Sequence, residues 1–179
     1  MDNPQRHKIE EIVWHELRTI VLVIVIVIFQ KIFLANIFGV SLNLLLLLVV
    51  LRTLIEPIVT IGRWALYGGL IFDSMSGAWL GMHSIGLILA VVTIFVLLSR
   101  ITSENWILPI VAVIIGSLVY YFCNGVLLYL LVGSFNILTY ITVVFIPELL
   151  IILVPALPVF LLLRWLRSMQ RGELPLDVY

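Results

Sequence analysis

Apolar runs long enough to cross a lipid bilayer follow one another along almost the whole chain, and they limit its fold more than any other feature. A crossing takes about 20 mainly apolar residues. Candidates lie at Thr19–Phe38, Val40–Ile55, Arg63–Leu80, Ser84–Leu98, Trp106–Val132 and Ile137–Leu163. The breaks between them, Asn36–Gly39, Glu56-Pro57, Gly81–His83, Thr102–Asn105 and Gly133–Asn136, are turn-like in composition. With 63% hydrophobic and only 11% charged residues among 179, and a mean hydropathy of +1.25, the chain is too apolar for a water-soluble domain of this size. The expectation is an all-α integral membrane protein, a compact bundle of about six transmembrane helices. Because the second candidate is short and the third is rich in glycine, five crossings or a re-entrant segment form the alternative.

The charges orient such a bundle. Ten basic and ten acidic residues cancel, which leaves no global basic surface for nucleic acid. With six crossings, Arg6, Lys8, Arg18, Arg52, Arg63, Arg100, Arg164, Arg167 and Arg171 all fall on one side, and Lys31 alone on the other. Basic residues near span ends favour the cytoplasm, so both termini are expected there. Lys31 is about 10 Å of helix from Phe38 and can snorkel outward. The N-terminal segment mixes acids and bases and lacks a signal-peptide pattern, so it is expected to be retained. Its Ile9, Ile12, Val13, Leu17 and Ile20 recur at helical spacing. Residues 1–18 thus read as a cytoplasmic amphipathic segment, 19–166 as the transmembrane bundle and 167–179 as a cytoplasmic tail.

Two acids interrupt the apolar runs. Counted from Arg63, Asp73 lies about 15 Å along a helix, and Glu148, counted from Ile137, lies at a similar depth. An acid near the bilayer centre must face protein or a wet cavity. Ala65, Gly69, Asp73, Gly77 and Gly81 follow at four-residue intervals, the last two as a GxxxG, a stripe that lets another helix approach closely. That helix belongs either to this chain or to a partner, and a homo-oligomer is compatible with it. Pro147 beside Glu148, with Pro155 and Pro158 further on, is expected to disrupt the last helix. Broken helices with an internal acid serve either packing or transport. If the two acids face each other, one is expected to hold a proton. His83 reads as an interfacial side chain, and Arg52 and Glu56 as a pair at the cytoplasmic rim.

Catalytic patterns are incomplete. His15-Glu16 starts like HExxH, but Thr19 occupies the second histidine position, and no GxSG, Walker sequence or GxGxxG occurs. Asp73 has no second aspartate of the kind an intramembrane aspartyl protease needs. The single Cys123 rules out an internal disulfide framework. A non-enzymatic protein without metal or cofactor is expected.

From Thr19 to Met169 the chain resembles the rod shape-determining MreD family. The most specific element is the block Gly69 to Gly81, where Asp73, Ser76, Gly77, Leu80 and Gly81 match. The late Pro147-Glu148 and the basic ending Arg164-Trp-Leu-Arg167 also fit, whereas Asn43-Leu44-Leu45 replaces a family Asp-Leu-Leu and so removes a charge. The resemblance implies a multi-pass protein of the bacterial cytoplasmic membrane, a non-catalytic scaffold of the cell-wall elongation complex. It would bind MreC directly and, through it, work with MreB filaments and with the peptidoglycan enzymes RodA and penicillin-binding protein 2. The family is also distantly similar in fold to the S-components of energy-coupling-factor (ECF) transporters. That implies the alternative, a capture subunit for a small vitamin-like solute, with Asn124, Ser134, Asn136 and Tyr140 as its polar groups.

Overall fold

The computed structural model describes residues 4–33, 42–98, 107–133 and 136–171, and these contain six helical runs and no strands. They are α1 (Pro4–Phe33), α2 (Leu44–Thr53), α3 (Ile58–Ser76), α4 (Met82–Leu98), α5 (Ile107–Val132) and α6. The last begins with a short α-helical lead (Ile137–Thr139), widens into a π-helical segment (Tyr140–Phe145) and continues as a long α-helix (Ile146–Arg171). Successive runs alternate in direction. Asp73 near the end of α3 meets His83 at the start of α4. Gly86 of α4 lies against Tyr120 and Asn124 of α5, and Gly116 of α5 lies against Ile94 of α4.

The most apolar short run goes to the centre. In α2, Leu45, Leu46, Leu47, Val49, Val50, Leu51 and Thr53 are all buried, because α2 touches every other helix. A helix apolar on all sides is stable only where every side is covered. At ten residues it is about 15 Å long, half of what a bilayer crossing requires. The expected second span is therefore a short core helix. α4 is more conventional: Leu87, Ala90, Val91, Ile94 and Leu98 face the core, while Ile85, Leu89, Val92, Phe95 and Val96 are exposed. Among the described residues, two helical stretches are long and apolar enough to cross a membrane, Ile107–Val132 and Ile137–Met169.

Several boundaries differ from the sequence reading. α3 starts at Ile58, directly after Pro57, whose extended backbone caps it, and it ends at Ser76 because Gly77 turns left-handed at φ 67°. α1 runs unbroken through residue 18 into the first apolar run, and α6 continues through residue 166. Pro155 and Pro158 sit inside α6 without ending it. The disruption expected at Pro147 takes a specific form. Proline donates no backbone hydrogen bond and its ring crowds the carbonyl four residues back. Immediately before it the helix widens, and the N–H of Ile146 bonds to the carbonyl of Ile141, five residues earlier.

Candidate functional site

The turn between α3 and α4 is built around Asp73. Its side chain is fully buried. One carboxylate oxygen accepts the N–H of Gly81 at 2.7 Å; the other accepts the N–H of His83 at 3.1 Å and lies 2.5 Å from His83 Nδ1. The first turn of a helix leaves N–H groups without intrahelical partners and carries a partial positive charge. Asp73 thus caps α4 from across the turn, and His83 completes the cap by donating through Nδ1. Gly77 and Gly81, at φ 67° and 92°, adopt the left-handed backbone that turns the chain, and a Cβ on either would meet nothing within 4 Å.

The four-residue stripe therefore divides. Gly69 is a close-approach residue: a Cβ there would come within 2.3 Å of Ser84 Cα. Ala65 is fully buried one turn earlier. Gly69 packs against α4 of this chain, and Ala65 lies in its hydrophobic core. Gly77 and Gly81 form no helix face, so the expected GxxxG contact is corrected to a turn. Asp73 is corrected likewise, from mid-helix to the last turn of α3, because the helix ends at Ser76.

A second capped helix start lies beside it. Asn43 Oδ1 accepts the N–H of Leu46 and Gln30 Oε1 accepts the N–H of Leu45, both at 3.0 Å, so that α1 and the residue before α2 satisfy the first turn of α2. Asn43 Nδ2 then donates to Tyr120 Oη at 3.2 Å. Tyr120 packs edge-to-face on Tyr121, with ring centroids 5.0 Å apart, and Tyr121 Oη donates to Glu148. Tyr140 Oη donates to the carbonyl of Tyr121 at 3.2 Å.

Pro147 and Glu148 are thus held on the α5–α6 side. Asp73 and Glu148 lie at the two ends of a row of side chains, Asp73, His83, Tyr120, Tyr121 and Glu148. Asp73 and Glu148 were legible in the sequence as acids within apolar runs. Gln30, Tyr120 and Tyr121 were missed, and Asn43 was noted only for the charge it lacks; a polar side chain in an apolar stretch is the signal that could have marked Gln30 and Asn43, as it marked the acids.

Of the groups proposed for solute capture, Asn124 Nδ2 donates to the carbonyl of Tyr120 and Asn136 caps the start of α6. Tyr140 Oη is taken up by the carbonyl of Tyr121, and Ser134 lies outside the described residues. At the other end of the bundle Arg52 pairs with Glu56 at 2.5 Å and lies 4.0 Å over the ring of Trp64, and Arg63 pairs with Glu16 of α1. Lys31 Nζ is 4.6 Å from the ring centroid of Phe72.

No protein-family model, curated protein or solved structure matches the chain. Its function is to be read from its own geometry.

Among the described residues no group of three His, Cys, Asp or Glu side chains could hold a metal ion. Asp73 is engaged on both oxygens. One apolar groove of about 410 Å³ opens between α5 and the start of α6, lined by Leu118, Tyr121, Phe122, Val126, Tyr140 and Phe145 among others.

Proposed function

We propose that the chain is a multi-pass protein of the bacterial cytoplasmic membrane, both termini cytoplasmic, and that it works as a non-catalytic scaffold of the cell-wall elongation complex, as the MreD resemblance implies. The observation that carries this reading is the construction of the Gly69–Gly81 block, whose glycines and aspartate serve the architecture. Gly69 admits the backbone of α4, Asp73 caps that helix, and Gly77 and Gly81 turn the chain. A block so used needs no substrate to explain it.

The membrane reading is supported by the apolar side chains left outside the bundle. Val25, Val96, Phe122, Leu130 and Val154 are among those more than half exposed. A soluble surface does not tolerate such patches over several helices, whereas lipid does. In this reading the exposed faces meet lipid and partner helices, with MreC as the direct partner and MreB, RodA and penicillin-binding protein 2 within the complex. The capture-subunit alternative is weakened by a groove without polar handles, since recognition of a water-soluble solute requires several.

Affinity purification of the tagged full-length chain from membranes of its own host tests the proposal. MreC should be enriched over unrelated single-span proteins, and depletion of the chain should turn rods into spheres. Rods that persist, together with no enrichment of MreC, would reject the scaffold.

A further inference from the structure

We propose that the α3–α4 turn is a pH-sensitive device, tight while His83 is neutral and loosened when its ring takes a second proton. The inference goes beyond the scaffold reading and takes from the membrane reading only the side on which the turn lies. Gly81–His83 falls between the third and fourth candidate spans, and with both termini cytoplasmic that break faces outward. The proton then comes from outside the cell.

Geometry fixes the atom that receives it. Asp73 accepts backbone N–H groups on both oxygens and meets His83 Nδ1 as an acceptor too, so Nδ1 carries the hydrogen of the neutral ring. Nε2 is the basic atom that remains. Among the described residues it has no hydrogen-bond partner; the ring instead packs on Phe72 and Tyr120, with centroids 4.8 Å and 6.1 Å away. A proton on Nε2 therefore creates a donor with no acceptor beside it, a costly arrangement for a group withdrawn from water.

The charges around the ring come from several helices. Asp73 of α3 favours an imidazolium, whereas Lys31 of α1 opposes it, its Nζ 4.6 Å from the centroid of the same Phe72 ring. From α5 comes Tyr120, whose hydroxyl accepts from Asn43 ahead of α2, and Glu148 of α6 lies beyond Tyr121. Enclosure outweighs the attraction of Asp73: burial holds the imidazole below its ordinary value of 6.5. The way out is short, since the His83 side chain keeps 18% exposure. Once protonated, the ring can turn into water while Asp73 retains its two backbone donors, so the turn loosens without coming apart. The tight form binds the proton less readily than the loose one. Tightness is thus fully present above about pH 6.5 and is lost as the pH falls below it.

The test uses the full-length chain in nanodiscs, where both faces meet the buffer, so that failure here leaves the membrane and scaffold readings standing. Amide hydrogen exchange of residues 78–86 is followed by mass spectrometry between about pH 8 and about pH 5, corrected for the intrinsic pH dependence of exchange. Protection should fall several-fold on the acid side of 6.5, while that of residues 107–119 in α5 stays constant. His83→Asn, which keeps a donor near the Nδ1 position but does not titrate, should hold its protection throughout. In a chain carrying His7→Gln and His15→Gln, His83 is the only histidine, and its ring nitrogen NMR signals should titrate over the same range as the loosening. Protection that ignores pH, or that falls equally in His83→Asn, would overturn the device. If His83→Asn is loose even at the alkaline end, the histidine titration decides. A midpoint below 6.5 that coincides with the loosening upholds the proposal; a midpoint above 6.5 overturns it, because Asp73 would then hold the imidazolium in place.

Discussion

Asp73 shows how one side chain can fix the geometry of a hairpin. Its carboxylate satisfies two backbone donors and one ring donor that would otherwise be shut away from water. Leaving buried donors unpaired costs about 1–3 kcal/mol. Asp73→Ala should lower stability in detergent by that order, read from the thermal unfolding midpoint. His83→Ala should cost less, because the backbone bonds to Gly81 and to residue 83 survive it. Equal losses for the two variants would mean that the ring bond, and not the cap, holds the turn.

The glycines make a sharper comparison at the same scale. Gly69→Ala adds a Cβ within 2.3 Å of the α4 backbone, and a backbone cannot step aside as a side chain can. It should destabilise by about 1–3 kcal/mol, the usual range for overpacking. Gly62→Ala in the same helix meets nothing within 4 Å. It should be neutral or stabilising by up to about 1 kcal/mol, since alanine is the better helix former. Similar effects of the two, by denaturant titration in one detergent, would remove the close approach at Gly69.

At the scale of elements, the sequence announced helices clearly and their ends poorly. Apolar runs revealed where helices form because burial or lipid contact rewards them wherever they lie. They could not separate α2, enclosed by five helices, from α6, which buries little of its surface, since both are equally apolar. Only length distinguished them, and Asn43 and Gln30 set that length by capping α2 at Leu44. The four-residue stripe was legible, but its division was not. Whether a glycine continues a helix or turns left-handed depends on a distant partner, here the carboxylate that waits for the N–H of Gly81. Tyr121 escaped notice for a similar reason: a tyrosine in an apolar run signals nothing until its hydroxyl is seen on Glu148. That contact joins α5 to α6. Glu148→Gln keeps an acceptor and should change stability little, whereas Glu148→Leu strands the hydroxyl and should cost about 1–3 kcal/mol. In a double-mutant cycle with Tyr121→Phe, the coupling should be about 0.5–3 kcal/mol. A coupling of zero would mean that α6 is held by apolar packing alone.

At the scale of the whole molecule, the question is whether three crossings separate the α3–α4 turn from the end of α6. α4 has 17 residues, about 26 Å of helix, slightly less than the roughly 30 Å hydrocarbon core. α5 and the long run from Ile137 exceed that thickness. If α4 spans with a little local thinning of the bilayer, Leu80 in the turn and Met169 near the end of α6 lie on opposite sides. Basic residues gather at the second of these ends, with Arg52 and Arg63 in the described residues there and Arg164 and Arg167 on α6. That end should be cytoplasmic. In a Cys123→Ser background, Leu80→Cys, 76% exposed in the turn, should react with a membrane-impermeant maleimide in intact cells. Met169→Cys, 54% exposed, should react only after permeabilisation. Reaction of both in intact cells, or of neither, would place the two ends of this segment on one side. The half-length α2 would then have a counterpart in α4 as a helix that enters the bundle without crossing it.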